Sequence, residues 1–192
     1  MGMMLKPRRN RRSGWGKGLL DQNKIARMSR SKIKVMLVVF FHWKGIVYHE
    51  FVPRGQMVNK QLYQKVLARL RDAVRRERPA LWGNQTWMLH HDNAPAHASL
   101  LIRSYLAKHH TSVVPHPAYS PDLTAADFFL FPKLKSTLKG RRFQTIEEIL
   151  ENAVRELRVI TESAFQEAFQ QWKKRWERYI ANRGEYFEEG SA

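Results

Sequence analysis

No cysteine occurs in the 192 residues, so disulfides and thiolate zinc sites are both out of reach, and an extracellular fold held by cross-links is excluded. An intracellular setting is the expectation. No apolar run is long enough to cross a bilayer: the longest, residues 35–41, falls far short of the roughly 20 residues a span needs. The N-terminus lacks the apolar stretch of a secretory signal, so no membrane partner is expected. Acid is scarce as well, with 17 Asp and Glu against 34 Lys and Arg, a formal charge of +17. Each phosphate neutralised by a cation releases condensed counterions, which makes a polyanion the favoured partner. DNA, held mainly through its phosphates, leads; an anionic membrane surface comes second, and charge carried on a merely solvated tail is the bland alternative.

What is present is enough for one globular domain. A 43% hydrophobic share with 11% aromatics is well above that of a disordered chain. The charge is uneven, because residues 1–34 hold eleven Lys and Arg against the single acid Asp21, or +10 of the total. Gly14, Gly16 and Gly18 interrupt any periodicity there, so this segment reads as a flexible basic arm or linker. It suits DNA contact or nuclear import, which implies the nucleus, and equally a solvated leader.

Residues 35–192 read as the folded domain. The continuous apolar run at 35–41 marks a strand buried on both faces. His42-Trp43-Lys44-Gly45 then turns the chain into a second strand at 46–52, ended by Pro53, so the pair suggests an antiparallel hairpin. Asn59 can cap a helix to about Arg78, oily along Leu62, Val66, Leu70 and Ala73 or Val74, basic elsewhere, and stopped by Pro79. A short strand is expected at 86–90, a helix opened by Pro95 over 96–108, and a further strand at 111–114. Thr124 can cap a short helix through Leu130 that Pro132 continues to Leu138. Thr145 and Glu148 have capping-box spacing, and Thr161 precedes a last helix in which Phe165, Phe169, Trp172, Trp176 and Ile180 recur at helical steps and are expected to pack as core. Strands first, then alternating helix and strand, then helices, suit an α/β domain with a mixed sheet flanked by helices.

In such a sheet, functional side chains gather just past the carboxyl ends of strands. Asp92 stands there, after the 86–90 strand, in His91-Asp92-Asn93-Ala94-Pro95-Ala96-His97; taken alone, the same residues make an acceptable strand-to-helix turn. Asp127 lies in Thr124-Ala125-Ala126-Asp127-Phe128-Phe129, where an acid is also favoured by the helix dipole alone. Carboxylates on separate elements can converge on divalent metal ions and drive phosphoryl transfer. His90, His91 and His97 are close in sequence, yet no histidine pair stands at a recognised zinc spacing, so ordinary satisfied histidines are expected.

The stretch His91 to His97 resembles the mariner transposase signature around its second catalytic Asp, and Tyr119-Ser120-Pro121-Asp122-Leu123 resembles the loop before its third. Between Asp92 and Asp127 lie 34 residues, 93–126, the spacing that marks the family. Phe128-Phe129-Leu130-Phe131-Pro132-Lys133-Leu134-Lys135, Lys139-Gly140-Arg141-Arg142-Phe143 and Trp172-Lys173-Lys174-Arg175-Trp176-Glu177 continue the resemblance, which spans about residues 26–187. It implies an RNase H-like fold in which three carboxylates bind Mg²⁺ or Mn²⁺ and cut and rejoin DNA, with Asp92 and Asp127 as catalytic metal ligands and a homodimer as the assembly the family allows.

One departure bears on all of this. The family's first catalytic Asp closes the first strand, and here the matching stretch is Phe40-Phe41-His42-Trp43-Lys44-Gly45, so His42 sits where that Asp belongs. Neutral imidazole offers one nitrogen and no charge, and it is a poor partner for Mg²⁺. Asp122 matches the loop residue instead, and Glu50 would have to reach from another strand. The expected reading is a DNA-binding remnant of the catalytic domain, weak in metal and impaired in cleavage, with non-catalytic, non-specific nucleic-acid binding as the alternative. The helix-turn-helix modules of complete mariner transposases are not found in the sequence, so recognition of specific transposon ends is not expected.

Overall fold

A computed structural model describes residues 2–4, 35–118, 120–139, 141 and 143–182. Apart from residues 2–4, the basic arm expected at 1–34 lies outside the described residues, as do Tyr119, Gly140, Arg142 and residues 183–192.

Strand β2 (Met36–His42) organises everything else, and its composition explains why. Its alternate side chains point to opposite faces, and here both faces are apolar. Leu37, Val39 and Phe41 join Leu130, Phe131, Leu134, Leu157 and Phe165 in one core. Val38 and Phe40 join Tyr63, Val66, Leu67, Leu70, Leu89 and Ile102 in another. The first core is covered by α4 (Phe131–Leu138), α5 (Ile146–Val159) and α6 (Glu162–Ala181). The second is covered by α1 (Lys60–Glu77) and α3 (Leu100–Lys108). The strand is thus sandwiched between two helical layers, as its unbroken hydrophobic run requires.

β2 pairs antiparallel with β3 (Gly45–Val52), with a bulge between Phe40 and Phe41. The turn between them closes at Gly45, whose φ of +121° is open to glycine and strained for other residues. On its other edge β2 takes the short strand β1 (Gly2–Met4), also antiparallel. β4 (Met88–His90) and β5 (Ser112–Val114) pair in parallel as a separate two-stranded sheet. The expected mixed sheet is therefore present as two hydrogen-bonded pieces. A strand has only two edges, and β3 and β1 occupy both of those of β2.

Local signals placed most helix ends. Asn59 Oδ1 accepts the Leu62 N–H at 2.9 Å, and Thr161 Oγ1 accepts that of Ala164. Thr145 Oγ1 accepts the Glu148 N–H while Glu148 Oε2 accepts that of Gln144. Pro79 ends α1 and also opens a second short helix, α2 (Pro79–Gly83). The helix expected from residue 96 begins only at Leu100, because the His97 and Ala98 N–H groups both turn back to Ala94 O and the Ser99 hydroxyl donates to Ala96 O. Asp127 falls in a widened helical turn, Ala126–Leu130, that runs directly into α4. Along α6, Phe165 is buried and Phe169 and Trp172 pack against the core, but Ile180 is 71% exposed: the stripe outruns the domain it was expected to cover. Among the described residues no helix is long and apolar enough to cross a membrane.

Candidate catalytic site

Asp92 follows β4 in the turn that leads to α3. Its Oδ1 accepts the Ala94 N–H at 3.1 Å and the His97 Nδ1–H at 2.6 Å. So the bland reading, a side chain closing its own turn, is also physically true of it. The His97 side chain is 1% exposed and fixed by its neighbours: its ring stacks on His91 at 5.1 Å with 4° between planes and lies 3.9 Å from the Tyr63 ring. Tyr63 hydroxyl and His91 Nδ1 are 2.8 Å apart. Burial alone would raise the Asp92 pKa, but the His97 bond and charge and the Ala94 N–H outweigh it and hold the carboxyl below its ordinary value. Asp92 is ionised at neutral pH.

Asp127 is carried by the wide turn before α4. The Thr124 hydroxyl lies 2.7 Å from Pro121 O and 3.2 Å from Asp127 Oδ2, and its one proton serves one of them at a time. Burial raises the Asp127 pKa, and the charge of Asp92 pushes the same way, against the Thr124 bond. Asp92 and Asp127 line one open pocket of about 400 Å³, together with Asn93, His116, Ser120 and Pro121. Asn93 Nδ2 donates to His116 O at 2.6 Å, tying the loop after β4 to the loop after β5. One carboxylate held ionised beside another held up is the arrangement that a divalent cation relieves.

His116 was not singled out by the sequence. It stands two residues past β5, so the strand-end rule that pointed to Asp92 applies to it equally. Its ring contacts His90, Nδ1 to Nε2, at 3.2 Å. Burial lowers its pKa although Asp92 and Asp127 both pull upward, so it faces the carboxylates as a neutral imidazole.

His42 ends β2 and is not among the residues that line the Asp92–Asp127 pocket. Its Nδ1 accepts the Lys44 N–H at 3.1 Å, and its Nε2 meets Nε of Arg78. It lines two other cavities, one apolar with Phe40, Val74 and Leu89, the other open with Trp43, Arg78 and Glu162. Burial first, then Arg78 and Lys44, lower its pKa to about 4. The structure therefore brings Asp92 and Asp127 together and leaves His42 outside their pocket. Glu50 does not stand in for it, since its carboxylate is held by Arg69 at 2.7 and 2.8 Å. His90, His91 and His97 are engaged with His116, Tyr63 and Asp92 respectively. Among the described residues no three His, Cys, Asp or Glu side chains are grouped so as to hold a metal ion. Asp92 and Asp127 supply carboxylate oxygens, the ligand type that a hard divalent cation takes.

A protein family described as transposase (partial DDE domain) matches residues 6–83. The mariner Mos1 transposase of Drosophila mauritiana is 33% identical over 164 residues, covering 85% of this chain. The chain spans 48% of that transposase's length. The structure of the Mos1 catalytic domain with raltegravir and Mn superposes with a TM-score of 0.74 at 31% identity, covering 80% of this chain and 78% of that one. The Mos1 paired-end complex with the left transposon end gives 0.79 at 30% identity, covering 93% of this chain and 52% of that one. A sheet strand buried between two helical layers, two carboxylates on separate segments lining one pocket, and likeness in both sequence and structure over most of the Mos1 catalytic domain agree, and the chain belongs to the mariner transposases, with the RNase H-like fold of their catalytic domain.

Proposed function

We propose that this chain is a DNA-binding mariner-type catalytic domain whose metal-dependent strand cleavage is impaired at position 42. The observation that carries the reading is that Asp92 and Asp127 share one pocket while His42 is held by Lys44 and Arg78 outside it. Asp92 and Asp127 would hold Mg²⁺ or Mn²⁺ weakly, and the ion when bound would supply a Lewis acid toward a phosphodiester. The Mos1 structure with Mn supports a divalent ion of this kind. The protein's own part is to keep Asp92 ionised and oriented through His97 and Ala94, and to present Asp127 from the Thr124 turn.

DNA as the partner is supported by the Mos1 complex with a transposon end and by the charge of +17. A homodimer is supported by the paired-end form of that complex, and the basic arm supports a nuclear location. Since residues 1–34 hold +10 of the charge, and each phosphate contact adds about −0.9 to the slope of log affinity against log salt, deleting the arm flattens the salt dependence of duplex binding. An unchanged slope assigns the arm to solubility instead.

Nicking of supercoiled plasmid with Mg²⁺ or Mn²⁺ tests the catalytic part. The natural protein is expected to nick weakly or not at all, His42→Asp to regain nicking, and Asp92→Asn in the His42→Asp background to abolish the gain. A natural protein that cuts as well as the His42→Asp variant overturns the impairment. A His42→Asp variant that binds metal and never nicks overturns the rescue.

A further inference from the structure

Two N–H groups point at the ring of His42, from Lys44 to Nδ1 and from Arg78 to Nε2. A neutral imidazole has one N–H and one lone pair in its plane, and an imidazolium has two N–H groups and none. In either state at least one donor meets a donor. The pKa of about 4 makes the neutral ring the form present at pH 7. The Lys44 N–H belongs to the tight turn that Gly45 closes, and Arg78 sits at the end of α1 with its Nη1 donating to Glu77 O at 2.8 Å, where a cation is favoured by the helix dipole. Arg78 takes part in none of the ion pairs among the described residues. Glu77, beside it, is paired with Arg76 at 2.9 Å.

We propose that the end of β2 is a socket built for a carboxylate, that Arg78 is its positioning residue, and that His42 occupies it as a mismatch. A carboxylate only accepts, and it has lone pairs for both donors with capacity left for a cation. An Asp oxygen takes the place of Nδ1 against the Lys44 N–H, and the planar Arg78 fork, which matches carboxylate geometry, faces the carboxylate. The proposal rests on the reading that position 42 is where the family carries its first Asp, but it is tested without DNA or metal, so its failure leaves the nicking experiment standing.

The test is a double-mutant cycle on thermal stability of the full chain at pH 7 with EDTA present. With Arg78 in place, His42→Asp is expected to raise Tm by about 3 to 10 °C, the shift that a charge-assisted hydrogen bond produces in a chain of this length. His42→Asn, of the same shape and without charge, is expected to gain less. In an Arg78→Met background the order reverses, and His42→Asp lowers Tm because a half-buried carboxylate has lost its cation. Should Arg78→Met fail to fold, Arg78→Lys replaces it, and the gain from His42→Asp must shrink there because the Nε–H is gone. A fall in Tm for His42→Asp with Arg78 present, or the same Asp-for-His difference with and without Arg78, overturns the proposal.

Discussion

The ends of β4 and β2 make opposite use of the same architecture. After β4, Asp92 is an acceptor among donors: Ala94 N–H and a buried His97, itself pinned between His91 and Tyr63. At the end of β2, His42 is also set among donors, from Lys44 and Arg78, but it brings a donor of its own. Asp92 is satisfied and His42 is not, although both strands lie in the same fold. A single residue type at one strand end can therefore change the chemistry of a site while leaving its scaffold intact, because the core below depends on Phe41 and not on its neighbour.

That dependence gives the largest expected effect. Phe41 is fully buried between Phe165 and Phe169, with centroids at 5.6 and 6.1 Å, so Phe41→Ala should cost about 3 to 5 kcal/mol in urea unfolding. A loss below about 1 kcal/mol would show that the strand end is not anchored by the core and that the two strand ends do not share a common scaffold. Ile180→Ala, at an exposed position of the α6 stripe, should stay within about 0.5 kcal/mol.

The next effect separates positioning from packing at the β4 end. His97→Phe keeps a ring in the stack and removes the donor to Asp92, and it should weaken Mn²⁺ binding by about 10- to 100-fold. His97→Asn keeps a donor at the same reach and should retain most of the affinity. Equal losses in both would mean that His97 merely fills space.

Smaller, and specific to the histidines behind the site, is the response to acid. Burial lowers the pKa of His90 from 6.5 to about 4 and that of His91 to about 3. The unfolded chain then binds more protons than the folded one, so stability is fully present above pH 6.5 and falls as the pH drops toward 4. Each group contributes up to about 1.4 kcal/mol per pH unit to that slope. Calorimetry at stepped pH should show Tm declining through this window, and a Tm flat from pH 6.5 to 4 would mean that these rings are not buried neutral.

Much of this was legible in the residues, for identifiable reasons. The run at 35–41 announced a strand apolar on both faces, and Asn59, Thr145 and Thr161 announced helix starts because a cap acts within three residues. Asp92 was marked by strand-end placement, and its pairing with Asp127 by the family resemblance, which the 34-residue interval carries. Arg78 was not, because it meets His42 across 36 residues, and nothing local marks a long-range partner. Nor was the division of the sheet, since β1 pairs with β2 from a segment whose composition reads as a loose basic arm. His116 could have been found by applying to β5 the rule already applied to β4.

On the proposed function, the Asp92–Asp127 pair is what a metal centre here retains and position 42 is what it lacks. A Mn²⁺ titration followed by electron paramagnetic resonance of the free ion tests it most directly, run on the natural protein, Asp92→Asn and His42→Asp. One weak site is expected in the natural protein, its loss in Asp92→Asn, and binding tighter by about tenfold or more in His42→Asp. Equal Mn²⁺ affinity in the natural protein and Asp92→Asn would contradict it.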